Sequence, residues 1–190
     1  ENLIFPRYHQ LDVIRKILAD VRVNRTAQNY LIQHSAGSGK SNSIAWLAHQ
    51  LVTLKNDSGK EIFDTVIVVT DRINLDKQIK DTIKQFMQVS ATVGWAKSAG
   101  ELKQLLNEGK KIIITIVHKF QFILDDIGEV HKDKNFAILI DEAHSSQNGS
   151  LSAKMNMVLS GSVYDDEDDL EDKINTCLLY TSPSPRDGLL

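Results

Sequence analysis

The sequence predicts an α/β domain in which a parallel β-sheet is covered by helices on both faces. Short runs of consecutive apolar residues, typical of strands buried on both sides, alternate with segments whose apolar residues recur at helical spacing. The chain has 190 residues, of which 42% are hydrophobic, and this is enough for one core but not for two large domains. Alternating strands and helices favour a parallel sheet with crossover helices.

The first half of the chain supplies two strand and helix pairs after an initial helix. Residues 7–21 form an expected helix because Leu11, Ile14 and Leu18 lie on one face. The apolar run 30–33 predicts a strand, and the apolar spacing over 41–54 predicts the next helix. A polar break at 55–60 then separates them from the predicted strand 64–70 and the predicted helix 74–86.

The second half continues the alternation. Apolar runs predict a short strand at 91–93 and strands at 112–116 and 136–140. Helical spacing predicts helices at 99–107 and around 119–126. The sequence shows no internal repeat.

The loop between the first strand and the second helix carries a phosphate-binding pattern. Residues 34–41 read His-Ser-Ala-Gly-Ser-Gly-Lys-Ser. Gly37 and Gly39 permit a tight loop whose backbone N–H groups approach a polyphosphate, and the following helix N-terminus adds further donors. Lys40 is placed to neutralise the β- and γ-phosphates, and the Ser41 hydroxyl to bind Mg²⁺. The expected ATP-binding residues of the loop are Gly37, Ser38, Gly39, Lys40 and Ser41.

An acidic pair, Asp141 and Glu142, directly follows the apolar run 136–140. Ligands of open α/β sheets bind at the carboxyl ends of the strands, so this pair is expected to face the phosphate loop despite its distance from Lys40 along the chain. Asp141 would then hold Mg²⁺, directly or through water. Glu142 would orient and deprotonate the water that attacks the γ-phosphate, which makes Glu142 and Lys40 the expected catalytic residues.

Charge and composition exclude several other classes of protein. The net charge is −3, but seven acids fall in 165–172, so the remaining residues carry a net charge of +4, which is compatible with nucleic-acid contact. No run of 18 apolar residues and no signal peptide is visible, so we expect a cytoplasmic protein without a membrane segment. The chain has one cysteine, and none of its six histidines is spaced from another histidine or from the cysteine as zinc ligands usually are, so we expect no zinc site. Residues 171–173 have the E-x-K form of a nuclease metal site, but no predicted strand flanks them and no partner acid accompanies them. We therefore do not expect a nuclease centre here.

Four longer stretches carry a more specific signal. They are Arg-Tyr-His-Gln at 7–10, Thr-Asp-Arg-Ile-Asn-Leu-Asp-Lys-Gln-Ile at 70–79, Thr-Ile-Val-His-Lys-Phe at 115–120 and Asp-Glu-Ala-His-Ser-Ser-Gln at 141–147. Together with His34 in place of the usual glycine, they resemble the motor region of the R subunit of type I restriction enzymes, within helicase superfamily two. The resemblance covers about residues 3–160 and implies a RecA-like P-loop NTPase domain of the DEAH type.

The resemblance also implies roles for individual residues. Residues 7–10 are similar to the family's adenine-reading element, so Arg7 and Gln10 would bind the base. His144 would couple the ATP state to the DNA-contacting surface. The residues that would contact DNA are Arg72, Thr115 and Lys119. The chain departs from the family's pattern at Ile116, His118 and Ser145.

The resemblance further implies how the chain is organised and what it binds. Residues 1–176 would be the first motor domain, ending before the family's G-T-P motif, without the nuclease domain and the second motor domain. Residues 177–190 resemble translated adapter sequence and are excluded from the predicted fold. Since an arginine finger contributes about 10³–10⁵ in rate, we expect such a fragment to bind ATP and Mg²⁺ but hydrolyse ATP poorly. The implied partners are double-stranded DNA and the modification (M) and specificity (S) subunits.

Two alternatives remain open at the level of the sequence. One is the motor of another superfamily-two helicase or of a type III restriction subunit, against which the motif at 70–79 argues. The other is a nucleotide-gated binding module that does not move DNA. Stimulation of ATP hydrolysis by DNA distinguishes a motor from such a module.

Overall fold

A computed structural model describes residues 5–24, 29–35, 37–70, 93–96, 98–116, 134–141 and 176–183. Three helices lie within these ranges: α1 (Tyr8–Asn24), α2 (Lys40–Val52) and α3 (Ala99–Asn107). Six strands lie within the same ranges: β1 (Asn29–His34), β2 (Thr65–Thr70), β3 (Val93–Trp95), β4 (Ile112–Ile116), β5 (Phe136–Ile140) and β6 (Thr176–Pro183).

The six strands form one sheet in the order β1-β6-β5-β2-β4-β3, and every neighbouring pair is parallel. In the middle of the sheet Val68 of β2 lies opposite Ile114 of β4 and Leu139 of β5. Because all strands run the same way, their carboxyl ends share one edge. The phosphate loop after β1 and Asp141 after β5 therefore lie at the same edge of the sheet.

Helices cover both faces of this sheet. On one face Val66, Val68 and the alternating residues of β4 and β5 form a buried core with α1 and α2. Gly94 of β3 points to the opposite face, where a Cβ atom on it would lie 2.8 Å from Leu105 Cδ1 of α3. Leu102 and Leu106 of α3 are fully buried. The predicted α/β architecture with helices on both faces is confirmed.

Local sequence accounts for the positions of the helices. The buried face of α1 repeats at helical spacing through Ile14, Ile17 and Val21. On its exposed side a hydrogen bond with Asp12, together with the charge of that carboxylate, raises the pKa of Lys16. Helix α3 starts after Ser98, whose hydroxyl accepts a hydrogen bond from a backbone N–H of the first turn. Within the described residues no helix is both long and apolar enough to cross a membrane.

Most predicted elements agree with the observed ones. Helix 99–107 and strands 112–116 and 136–140 have the predicted bounds, and the other described elements differ from prediction by a few residues at their ends. The short strand predicted at 91–93 is observed at Val93–Trp95. The predicted helices at 74–86 and around 119–126 lie outside the described residues.

Strand β6 corrects the exclusion of the C-terminal segment from the fold. Its backbone pairs with β1 on one side and with β5 on the other, so it is an interior strand of the sheet. Residues 177–190 resemble adapter sequence, but the run Cys-Leu-Leu-Tyr-Thr at 177–181 has ordinary strand composition, which is the local signal for β6. The proposed non-native origin of the segment stays a prediction.

Candidate nucleotide-binding site

The loop after β1 has the backbone shape that its glycines suggest. Gly37 and Gly39 have φ angles of 70° and 85°, in the left-handed region that residues with a Cβ rarely adopt. The Ser38 N–H donates to the Ser35 carbonyl oxygen at 3.2 Å and closes a tight turn. Gly39 is the residue that immediately precedes α2. The two glycines thus turn the chain from the strand into the helix within a few residues.

The N-terminus of α2 places two expected ligands at the edge of the sheet. Lys40 and Ser41 are its first two residues, and both side chains are half-buried. Asn42 N and Ser43 N already donate to the Gly39 carbonyl oxygen. The backbone N–H groups that precede them have no carbonyl one turn back within the helix, which is the usual basis of anion binding at a helix N-terminus.

The side chain of Gln10 in α1 forms hydrogen bonds with the phosphate loop. Its side chain is 3% exposed, and Nε2 donates hydrogen bonds to the carbonyl oxygens of Ser38 and Gly39 at 3.1 and 3.0 Å. Its Oε1 accepts a hydrogen bond from the backbone N–H of Arg7 at 2.8 Å, while the Arg7 side chain is exposed. The family resemblance predicts that Gln10 binds the adenine base, but it does not predict this contact between Gln10 and the phosphate loop. The position of Gln10 in line with Ile14 on the buried face of α1 was the available signal.

Asp141 lies at the same edge, directly after β5. Its side chain is 3% exposed, and its backbone N–H donates to the Val69 carbonyl oxygen at 2.9 Å, which continues the ladder between β5 and β2. Two strand spacings, about 10 Å, separate β5 from β1. Asp141 follows the alternation of Ala137 and Leu139, which face α2, and therefore shares the face of the sheet on which α2 packs.

Three buried hydroxyl groups near this edge, those of Ser38, Ser43 and Thr70, suit a site that binds a polar ligand. No hydrogen-bond partner is present for their oxygen atoms in the described part of the chain, although buried polar groups are normally paired. They lie in the phosphate loop, in the first turn of α2 and at the end of β2, respectively. The hydroxyl of Thr115 in β4 also has no partner among the described residues, but the register of β4 with β2 directs it to the opposite face of the sheet. A nucleoside triphosphate with Mg²⁺ fits the groups that meet at this edge, which are backbone donors, a lysine, hydroxyls and a carboxylate.

The remaining predicted residues divide into two groups. Glu142, Arg72, Lys119 and His144 lie outside the described residues, and their assigned roles stay predictions. Thr115 lies within β4 and is 0% exposed. A side chain buried to this extent offers no surface to DNA, so the structure argues against the direct contact that the resemblance suggested for Thr115.

Comparison with known proteins places this site in a family context. The model of the family described as SWI2/SNF2 ATPase matches residues 9–164. This span includes the phosphate loop and the acidic pair, together with the other motifs at 70–79 and 115–120.

The curated relatives have names from restriction systems. A protein of Mycoplasma pneumoniae, named as the C-terminal part of the type I restriction enzyme MpnIIP endonuclease subunit, is 27% identical over 76% of this chain and 71% of its own length. The type I restriction enzyme HindI endonuclease subunit of Haemophilus influenzae is 34% identical over 61% of this chain. The match covers only 11% of that second protein.

Solved structures share the fold. The UvsW helicase from bacteriophage T4 matches 99% of this chain and 56% of its own, with a TM-score of 0.62 and 16% identity. A nuclease-deletion mutant of the Type ISP restriction-modification enzyme LlaGI, solved with a DNA substrate mimic, matches 97% of this chain and 18% of its own, with a TM-score of 0.58 and 14% identity. At these identities the likeness concerns the fold, and it agrees with the expected RecA-like class.

Proposed function

The chain belongs to the SWI2/SNF2 ATPase family, and from that premise we propose that it is the first motor domain of a type I restriction enzyme R subunit. In this proposal the domain binds ATP with Mg²⁺ and, within the whole enzyme, drives translocation of double-stranded DNA before cleavage. The observation that carries the proposal is the meeting of the phosphate loop, the N-terminus of α2 and Asp141 at one edge of the sheet. The names of the curated relatives, endonuclease subunits of type I restriction enzymes, support the restriction system. Partnership with M and S subunits is part of the proposal.

In this proposal each residue at this edge has a separate role in binding ATP and Mg²⁺. The backbone of Gly37, Ser38 and Gly39 would cradle the phosphates, and Lys40 would neutralise their charge. Ser41 and Asp141 would hold Mg²⁺, which when bound supplies positive charge beside the phosphate oxygens.

The steps beyond binding use residues outside the described ranges. Glu142 would orient the attacking water and accept its proton. His144 would couple the ATP state to DNA contact, and Arg72 and Lys119 would bind the DNA backbone. Within the described ranges, the exposed Arg7 side chain would contact the adenine, whereas the buried Gln10, expected from the resemblance to bind the base, would act by holding the phosphate loop beside the nucleotide. We propose a cytoplasmic setting, where ATP and DNA are both available.

A binding experiment tests the nucleotide site. Lys40→Ala should weaken binding of a fluorescent ATP analogue with Mg²⁺ by about 10- to 100-fold, because one charge-assisted interaction with phosphate is lost. Lys60→Ala is the matched control, since that exposed lysine lies in the turn after α2 and should leave the affinity unchanged. Equal affinity of the Lys40→Ala variant and the wild-type protein would overturn the proposed site.

A turnover experiment tests the motor. In the whole protein that carries this domain, duplex DNA should stimulate ATP hydrolysis, and Glu142→Gln should abolish hydrolysis while retaining ATP binding. If turnover is indifferent to DNA, a nucleotide-gated binding module replaces the motor. If duplex DNA stimulates turnover but the protein does not assemble with M and S subunits, another superfamily-two motor is favoured.

A further inference from the structure

We propose that Thr70 is a positioning residue of the ATP and Mg²⁺ site, whose hydroxyl hydrogen-bonds to the Asp141 carboxylate in the nucleotide-bound state and orients it toward the metal. The inference rests on the proposed nucleotide site and adds a residue to it. Thr70 is the first residue of the motif at 70–79, which the resemblance connected with DNA. Its side chain is 0% exposed and so offers no surface to DNA.

The register of the sheet places Thr70 beside Asp141. Val69 of β2 lies opposite Ile140 of β5, and the Asp141 N–H donates to the Val69 carbonyl oxygen at 2.9 Å. The next residue of each strand continues this register, so that Thr70 lies opposite Asp141. Neighbouring strands are about 4.8 Å apart, which is within reach of a threonine hydroxyl and a carboxylate.

Both side chains also share one face of the sheet. Val66 and Val68 face the core that contains α2, and Thr70 continues their alternation. Asp141 continues the alternation of Ala137 and Leu139 toward the same core. The pair therefore lies on the side of the helix that begins with Lys40 and Ser41, at the carboxyl edge where the phosphate loop also lies.

Packing within β2 does not require a hydroxyl group at position 70. The residues of β2 between Thr65 and Thr70 are all apolar, and valine would fill nearly the same volume without a buried polar atom. Its Oγ1 makes no hydrogen bond to any residue that the structure describes. A buried hydroxyl normally has a partner, and a hydrogen bond that orients a metal-binding carboxylate is a recurrent way to provide one.

The test compares nucleotide binding with and without Mg²⁺ in four proteins: wild type, Thr70→Val, Thr70→Ser and Thr115→Val. Thr115 is the matched control, because it is equally buried and its hydroxyl also has no partner among the described residues, but it follows Ile113 toward the opposite face of the sheet. Thr70→Val should raise the Mg²⁺ concentration needed for half-maximal ATP binding by about tenfold, as expected for loss of a group that orients a metal ligand. Thr70→Ser should retain the wild-type requirement, and Thr115→Val should leave it unchanged.

Two further readouts separate a role at the metal site from a general loss of stability. The melting temperature of the nucleotide-free Thr70→Val protein and its affinity for ATP in EDTA should both match the wild-type values, since the hydroxyl acts only through the metal site. An unchanged Mg²⁺ requirement in Thr70→Val, or an equal increase in Thr115→Val, would overturn the inference. If Thr70→Val does not fold, Thr70→Ala gives the same comparison. Wild-type protein that fails to bind ATP with Mg²⁺ would instead overturn the proposed function itself.

Discussion

Gly39 is the position where backbone conformation and packing constrain the phosphate loop most strongly. Its φ angle is 85°, and a Cβ atom placed on it would lie 2.7 Å from Gln10 Nε2. That same amide nitrogen donates to the carbonyl oxygens of Ser38 and Gly39. A side chain at Gly39 would therefore strain the backbone and displace the group that holds the loop in place.

Gly39→Ala should lower the free energy of unfolding by more than backbone strain alone, which is about 1–2 kcal/mol for a left-handed residue with a Cβ. Gly37→Ala and Gly59→Ala are the matched controls, because both glycines have positive φ angles but open space where a Cβ would lie. Urea unfolding of the three variants measures the difference. Equal losses in all three would show that the contact with Gln10 adds nothing.

At the scale of elements, the packing of α3 on β3 depends on the absence of a side chain. Gly94 lies in the middle of β3, opposite Ile113 of β4, and is buried. A Cβ atom on Gly94 would lie 2.8 Å from both terminal carbons of Leu105. The helix can approach the sheet this closely only because the strand has a glycine at the contact.

Gly94→Ala should destabilise the protein by about 1–3 kcal/mol, the usual effect of overpacking a core. The loss should be smaller in a Leu105→Ala background, where the clashing carbons are absent. Gly100→Ala is the control, because it has open space on α3 and should instead gain about 0.5–1 kcal/mol from higher helix propensity. The prediction fails if chemical denaturation shows the same loss with and without the Leu105 side chain.

At the scale of the whole molecule, β6 sets the separation of the two halves of the nucleotide site. It pairs with β1, which leads into the phosphate loop, and with β5, which leads into Asp141. In the described part of the chain, β1 has no other strand partner. The relative position of Lys40 and Asp141 therefore depends on a strand that contributes no predicted site residue.

Truncation after Asn175 should destabilise the domain and abolish ATP binding, because β1 would lose the strand that joins it to the rest of the sheet. Truncation after Pro183 removes the residues that follow β6 and should leave both properties unchanged. Thermal unfolding and nucleotide titration of the two shortened proteins provide the measurement. A protein that ends at Asn175 and still binds ATP normally would contradict the structural role of β6.

Much of the fold and of the site could be predicted from local patterns. Apolar runs and helical spacing predict strands 112–116 and 136–140 and helix 99–107 with their observed bounds, since these patterns are properties of neighbouring residues. The phosphate loop was predicted for the same reason: its glycines, lysine and serine act within one strand-to-helix turn. The family was recognisable because its motifs are short and contiguous.

The sequence by itself thus determined the type of each described element before β6, the phosphate loop and the family. Only the tertiary structure decided the order of the strands, the place of β6 between β1 and β5, and the burial of Gln10 and Thr70. Local patterns are encoded within a few residues. Strand order and burial depend on contacts between segments far apart in the chain, whose energies no single segment reveals.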